Sequence, residues 1–234
     1  MERATTRPTS SDNAIATVAI LAITALFTAA QLLFPAVLGA LRRDPAALAA
    51  GEWWRLFTPL LVHADGLPQI VTNLLGIALV GPPVERRYGH AGWLLLYFGA
   101  GLPTELIGYA WEPYGAGASI ALCGLIGGLL VWLAEQAEGV PLWAPLFGLC
   151  LLAALAGAAL ASTTGSAAGA VLAGVAASAL LRGSSPARGR YLAGAGILAA
   201  LLLTALRNNH GPPVLIGAGI AALLLWRRAA AARR

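Results

Sequence analysis

An all-α, polytopic transmembrane helix bundle of about eight spans is the fold class that three observations in this sequence predict. Hydrophobic residues fill 59% of the 234 positions and charged residues only 11%, against about 25% charged in a soluble domain. Mean hydropathy is +0.76. Apolar runs of about 20 residues recur along the chain, each long enough to cross roughly 30 Å of hydrocarbon. A soluble helical core would need polar faces toward water, and no segment beyond residue 90 carries one.

The elements follow in chain order. Residues 1–12 (MERATTRPTSSD) are polar and read as a cytoplasmic N-terminal tail, because the apolar stretch behind them is too long for a signal peptide. A first span over 13–34 is stopped by Pro35. The loop behind it, through DPAALAAGEWWRLFTPLLVHADG, is partly apolar and rich in tryptophan, which suits the membrane interface. Further spans are expected over 67–84, 91–110, 118–135, 141–161, 165–181, 191–206 and 211–226. The pair around STTG, rich in small residues, reads as an antiparallel hairpin or as one broken segment, and parity favours two helices. The whole forms one transmembrane domain over 13–226, closed by a basic cytoplasmic tail over 227–234.

Charge sets the orientation. The chain has no lysine, and its +5 charge comes from arginines in short clusters between apolar runs, a topology signal and not a nucleic-acid one. With the N-terminus inside, eleven arginines fall on inner segments and four (Arg42, Arg43, Arg55, Arg207) on outer ones. Both termini are then cytoplasmic. Cys123 and Cys150 lie within apolar runs as small packing residues, and the three histidines lack metal-ligand spacing. No metal or cofactor is expected. Abundant alanine, glycine and arginine suggest a GC-rich bacterial source and hence its plasma membrane.

Polar residues at the ends of apolar helices carry the functional signal. Ser119, in YGAGASIALCGLIGG, follows a glycine-rich approach and falls in a first helical turn, where backbone N–H groups have no helical acceptor. An oxyanion formed there would meet those donors. By itself a lone serine reads first as a helix cap or a small packing residue. His210, in RNNHGPPVLIGAG, opens the last span, with Pro212 and Pro213 in its first turn. The topology puts both residues at one depth on the outer side, and a serine hydroxyl needs such a neighbouring base.

Four segments in order resemble the rhomboid family of intramembrane proteases. GEWWRLFTPLLVHA is similar to its first-loop signature, with the Trp54-Arg55 pair; GPPVERRYG resembles its G-x-x-x-E-x-x-x-G segment, with Gly81, Glu85 and Gly89 in register. GASIALCGLIGG resembles its nucleophile segment, and HGPPVLIGAG its histidine-bearing final core helix. The resemblance implies a six-helix core with two extra helices, and a Ser119–His210 dyad without an acidic third member. It also implies hydrolysis of peptide bonds in transmembrane protein substrates within membrane lipid. Oxyanion donors in the family come from a His-x-x-x-Asn pair, which here reads Gln69-x-x-x-Asn73, with the Ser119 N–H beside them.

Departures from the family pattern leave an alternative open, a catalytically inactive rhomboid-like protein that binds transmembrane clients. Gln69 replaces histidine, Ile120 stands where a second glycine is usual and either crowds the site or faces lipid, and Cys123 stands where an aromatic is frequent. Ser119 and His210 lie 91 positions apart, longer than the family spacing. A rival alignment makes 165–181 the last core helix and puts Thr164 or Ser166 at the histidine position. Glu105 is expected to snorkel, bond a neighbouring helix or line a water path; Glu85, Arg86 and His90 to fix a helix end; Arg55 with its tryptophans and His63 to brace the loop.

Overall fold

The computed structural model describes residues 14–135, 139–161, 163–181 and 186–233. The expected N-terminal tail and the inner loop at Glu138 lie outside them. The chain is all helical among the described residues. Helix α1 (Ile15–Leu33) is followed by two short helices, α2 (Ala36–Leu41) and α3 (Pro45–Ala49), and by two 3-10 turns over Trp53–Leu56 and Thr58–Leu61. Then come α4 (Gly66–Trp111), α5 (Ser119–Glu135), α6 (Trp143–Leu160), α7 (Thr163–Leu181), α8 (Pro186–Ala205) and α9 (Gly211–Ala231).

Helix α4 is two legs joined at a corner. Gly89 has φ +77 and ψ 168, non-helical values that glycine adopts without a Cβ penalty. The G-x-x-x-E-x-x-x-G segment builds this corner residue by residue. Gly81 lets α1 close in, since a Cβ there would sit 2.5 Å from Thr17 Cγ2. Glu85, fully buried, accepts from the backbone N–H groups of Ala16 and Thr17 at 2.7 Å each and from the Thr17 hydroxyl at 2.6 Å. It thereby satisfies orphan donors at the start of α1, where a carboxylate also meets the positive end of the helix dipole. His90 Nδ1 pairs with the same carboxylate. Counting both legs, the described helices longer than one or two turns number eight, matching the eight apolar segments.

Helix ends overshoot the apolar windows. The first leg of α4 reaches the corner at Gly89, α8 begins at Pro186, and α9 continues to Ala231 through part of the expected C-terminal tail. Polar and arginine-bearing turns extend a helix without entering its apolar window. The expected loop after α1 contains α2 and α3, the latter begun by Asp44, whose side chain accepts from the N–H groups of Ala46 and Ala47. By length and composition α1, α4, α6 and α9 can cross a bilayer, while α5 and 165–179 of α7 are shorter apolar segments. This is a multi-pass membrane architecture.

Helix α5 is the axis of the bundle, buried along nearly its whole length among α4, α8 and α9. Its glycines set the spacing. A Cβ on Gly124 would lie 2.4 Å from the Leu96 carbonyl oxygen, and one on Gly127 would lie 2.2 Å from that of Val214. From the other side, a Cβ on Gly217 of α9 would meet the Gly124 carbonyl oxygen at 2.2 Å. Backbone therefore packs on backbone, the close approach that small residues permit between membrane helices. Helices α6 and α7 form an antiparallel pair through a similar seam, with Gly157 against Gly165 and Gly169 against Ala153. The two-helix reading of this region agrees.

Gly217→Ala forces α5 and α9 apart. We expect about 1–3 kcal/mol of destabilisation and a lower thermal midpoint in detergent, together with lost coupling between Ser119 and His210. An unchanged midpoint would show that the seam is looser than described.

Candidate active site

The two ends of the bundle differ in chemistry. One end holds Glu85, His90, the Arg87–Glu135 pair and Arg228, whose guanidinium donates to the carbonyls of Arg87 and Tyr88. The other end holds the mouth of α5 and α9, and it is there that Ser119 and His210 meet.

His210 stands immediately ahead of α9, and Ser119 opens α5. His210 Nε2 lies 2.9 Å from Ser119 Oγ. Ser119 is 6% exposed and His210 half-buried. Burial first, and then the positive charge of Arg43, lower the pKa of His210 to about 4. The ring is thus a neutral imidazole at pH 7, able to accept a proton. Asn208 Oδ1 lies 2.8 Å from the other ring nitrogen, Nδ1.

A polar cavity of about 70 Å3 opens on this pair, lined by Arg43, Gln69, Gly117, Ser119, Ile120 and Asn209 among others. It has room for water. Gln69 accepts the Asp65 N–H at 3.0 Å through Oε1 and donates to the Ala116 carbonyl at 3.0 Å through Nε2. That nitrogen carries two hydrogens, so one donor remains beyond the Ala116 bond. A Cβ on Gly117 would come within 2.5 Å of Gln69 Nε2 and 3.2 Å of Ser119 Oγ, so only glycine leaves the gap between them open. Asn73, one turn on and 1% exposed, has no hydrogen-bond partner for Nδ2 among the described residues. A buried amide without a partner is costly, which sets Asn73 apart from an ordinary packing residue. Ile120 is 3% exposed and lines the cavity, so it faces the site and not lipid. Cys123 is fully buried in the core.

The loop between α1 and α4 roofs this end. Arg55 donates to the carbonyls of Gly39 and Arg42 at 2.8 Å each and pairs with Glu52 at 2.6 Å, while Tyr109 Oη donates to the Arg55 carbonyl. The Trp-Arg pair is therefore a clamp, with Trp53 and Trp54 left on the surface. His63 structures the loop too. It exchanges two hydrogen bonds with the Gln31 amide through its own backbone, at 2.8 and 3.0 Å, and burial lowers its pKa to about 4.

One feature escaped the sequence reading. Glu105, fully buried, pairs with Arg43 at 2.7 Å, and Arg43 also donates to the Glu112 carbonyl at 3.0 Å. Arg43 counted in the sequence only as outer-loop charge; the glycines at 108 and 115, where a Cβ would collide with its guanidinium, were the available signal. Ser166 and Thr164, of the rival alignment, belong to α7, which packs chiefly on α6. It is His210 that bonds Ser119.

A scan against family models matches the rhomboid domain over residues 50–181, more than half of the chain. This chain belongs to the rhomboid family. Similar rhomboid proteins include the rhomboid protease GluP of Bacillus subtilis, 40% identical over 38% of this chain and 17% of its own length. The putative rhomboid protease YdcA of the same species is 43% identical over 34% of this chain and 41% of its own. Rhomboid-like protease 2 of Toxoplasma gondii is 40% identical over 40% of this chain and 32% of its own. The chain thus spans less than half the length of these relatives in each matched stretch. No solved structure matches it. The matched rhomboid domain stops at Leu181, so His210 joins the site from beyond it.

Removing Arg43 leaves a buried carboxylate beneath the site without its cation. Arg43→Ala is expected to cost about 3–5 kcal/mol, measured as a lowered unfolding midpoint in detergent. A midpoint equal to wild type would count against the pair as a structural tie.

Proposed function

We propose that this rhomboid protein is an intramembrane serine endopeptidase that hydrolyses peptide bonds of transmembrane protein substrates through Ser119 and His210. The observation that carries the reading is the 2.9 Å contact between Ser119 Oγ and a ring nitrogen of a neutral imidazole. The names of its relatives as rhomboid proteases support the reaction class.

The chemistry needs no metal or cofactor. As Ser119 Oγ bonds to the scissile carbonyl carbon, its proton passes to His210 Nε2. The carbonyl oxygen becomes an oxyanion, met by the Ser119 N–H and the side-chain amides of Gln69 and Asn73. Collapse breaks the C–N bond, and the imidazolium gives its proton to the leaving amine. Water from the polar cavity then attacks the acyl ester, with His210 taking and returning a proton, and frees Ser119. Gln69 does by amide what the family does by ring.

In this reading the eight helical segments are eight spans of a bacterial plasma membrane protein. Both termini are cytoplasmic, with Ser119 and His210 toward the outer face. The exposed Trp53, Trp54 and Phe57 lie in the lipid interface. Partners are transmembrane substrates and membrane lipid, and not nucleic acid.

Reconstituted protein should cleave a transmembrane reporter in liposomes, and Ser119→Ala and His210→Ala should each abolish cleavage while keeping the wild-type melting midpoint. Full activity in His210→Ala would mean that another base serves Ser119. A folded wild type inert toward every reporter would favour the client-binding alternative.

Asn73→Ala is expected to lower kcat about 10²–10³-fold, with reporter binding retained. An unaltered kcat would remove Asn73 from the oxyanion site.

The pH profile has a definite sign. The base works only when neutral, and its pKa is depressed to about 4, so kcat/KM should stay flat from pH 7 down to pH 5 and fall only below that. An acid limb centred above pH 6 would contradict the depressed pKa of His210.

A further inference from the structure

We infer that Asn208 is a positioning residue of this site: its side-chain oxygen fixes which nitrogen of His210 carries the proton, and so keeps the Nε2 lone pair on Ser119. The inference rests on the Ser119–His210 reading and adds a third member to it.

Helix α8 ends in a left-handed turn that holds Asn208 by its backbone. Arg207 takes φ +55, its N–H donates to the Thr204 carbonyl at 3.0 Å, and the Asn208 N–H donates to the Leu203 carbonyl at 2.8 Å. These two bonds form a Schellman cap. On the far side the Gly211 N–H donates to the Asn208 carbonyl at 3.2 Å. The side chain therefore projects from a short segment tied to α8 at one end and α9 at the other.

Asn208 Oδ1 accepts the His210 backbone N–H at 3.0 Å and lies 2.8 Å from His210 Nδ1. A backbone N–H can only donate, so the atom facing it is the amide oxygen and not the NH₂ group. That oxygen can only accept, so the Nδ1 facing it carries the hydrogen. A neutral imidazole has a single ring proton. Nε2 is therefore bare, and at 2.9 Å from Ser119 Oγ it is the acceptor of the serine hydroxyl.

The bias matters because the opposite tautomer would present an N–H to Ser119 and could not take its proton. In serine triads the wrong tautomer costs about 10⁴ in kcat. An amide oxygen orients the ring as an acidic third member does.

The decisive experiment is ¹⁵N NMR of ¹⁵N-histidine-labelled full-length protein in detergent micelles, which has three histidines to assign, paired with reporter cleavage kinetics. His210 should show the Nδ1–H tautomer in wild type and lose that preference in Asn208→Ala. That variant should lose about tenfold or more in kcat, with KM unchanged, and Asn208→Asp, which retains the acceptor, should recover rate. An Nε2–H tautomer in wild type, or an Asn208→Ala protein with the wild-type tautomer and kcat, overturns the assignment. Where the alanine variant does not fold, Asn208→Leu, of similar shape but without the acceptor, replaces it: loss of the Nδ1 proton supports the role and its retention overturns it. A wild type that carries the Nδ1–H tautomer and loses it in Asn208→Ala, yet cleaves nothing, bears out Asn208's hold on the ring and contradicts the protease reading.

Discussion

Everything at the Ser119 end of this bundle depends on two helices touching by backbone. At Gly124, Gly127 and Gly217 no side chain separates α5 from α9, and the first residue of α5 comes to rest beside the residue ahead of α9. In lipid the usual hydrophobic drive between helices is absent, so packing of this kind is what holds them. A serine and a histidine far apart in sequence are thereby fixed at hydrogen-bond distance on rigid elements. Gly211 extends the close contact to α8, since a Cβ there would meet the Thr204 backbone nitrogen at 2.4 Å. The turn carrying Asn208 is held by the same packing.

The loop above the site is stabilised by polar contacts. Arg55 ties the loop to itself through the Gly39 and Arg42 carbonyls and Glu52, and Tyr109 ties it to α4. Beneath it the Arg43–Glu105 pair joins loop to helix in a place closed to solvent, where each charge needs the other. The Ala116 carbonyl, which accepts from both the Ala64 N–H and Gln69, brings loop, α4 and the approach to Ser119 to one point. The Gln69 side of the site is thus held by the elements that roof it.

Much of this was legible in the sequence because membrane chemistry makes polar residues conspicuous. Ser119, His210 and Glu85 stand out against apolar surroundings, and the apolar runs mark the helices to within a few residues. The spacing of Gly81, Glu85 and Gly89 anticipated the helix-end role, though not that one residue closes on α1, one caps it and one turns the corner. Ile120 could not be placed from sequence because α5 is buried all round and has no periodic face to read. Arg43 was hidden because an arginine in a loop looks like a topology charge until its partner, 62 positions away, is known. Asn208 was hidden for a different reason: its role depends on a left-handed turn at Arg207, a residue type that gives no glycine signal.

The claim that organises the account is that Ser119 is a nucleophile activated by His210 and faced by amide donors. A structure of the protein after reaction with a fluorophosphonate tests it most directly. The account predicts one new phosphorus–oxygen bond, from Ser119 Oγ, formed as the phosphorus–fluorine bond breaks and fluoride leaves, with the serine proton taken by His210. The phosphoryl oxygen then lies within hydrogen-bond distance of Gln69 and Asn73. An adduct on any other residue, or a folded protein that remains unmodified, would contradict it.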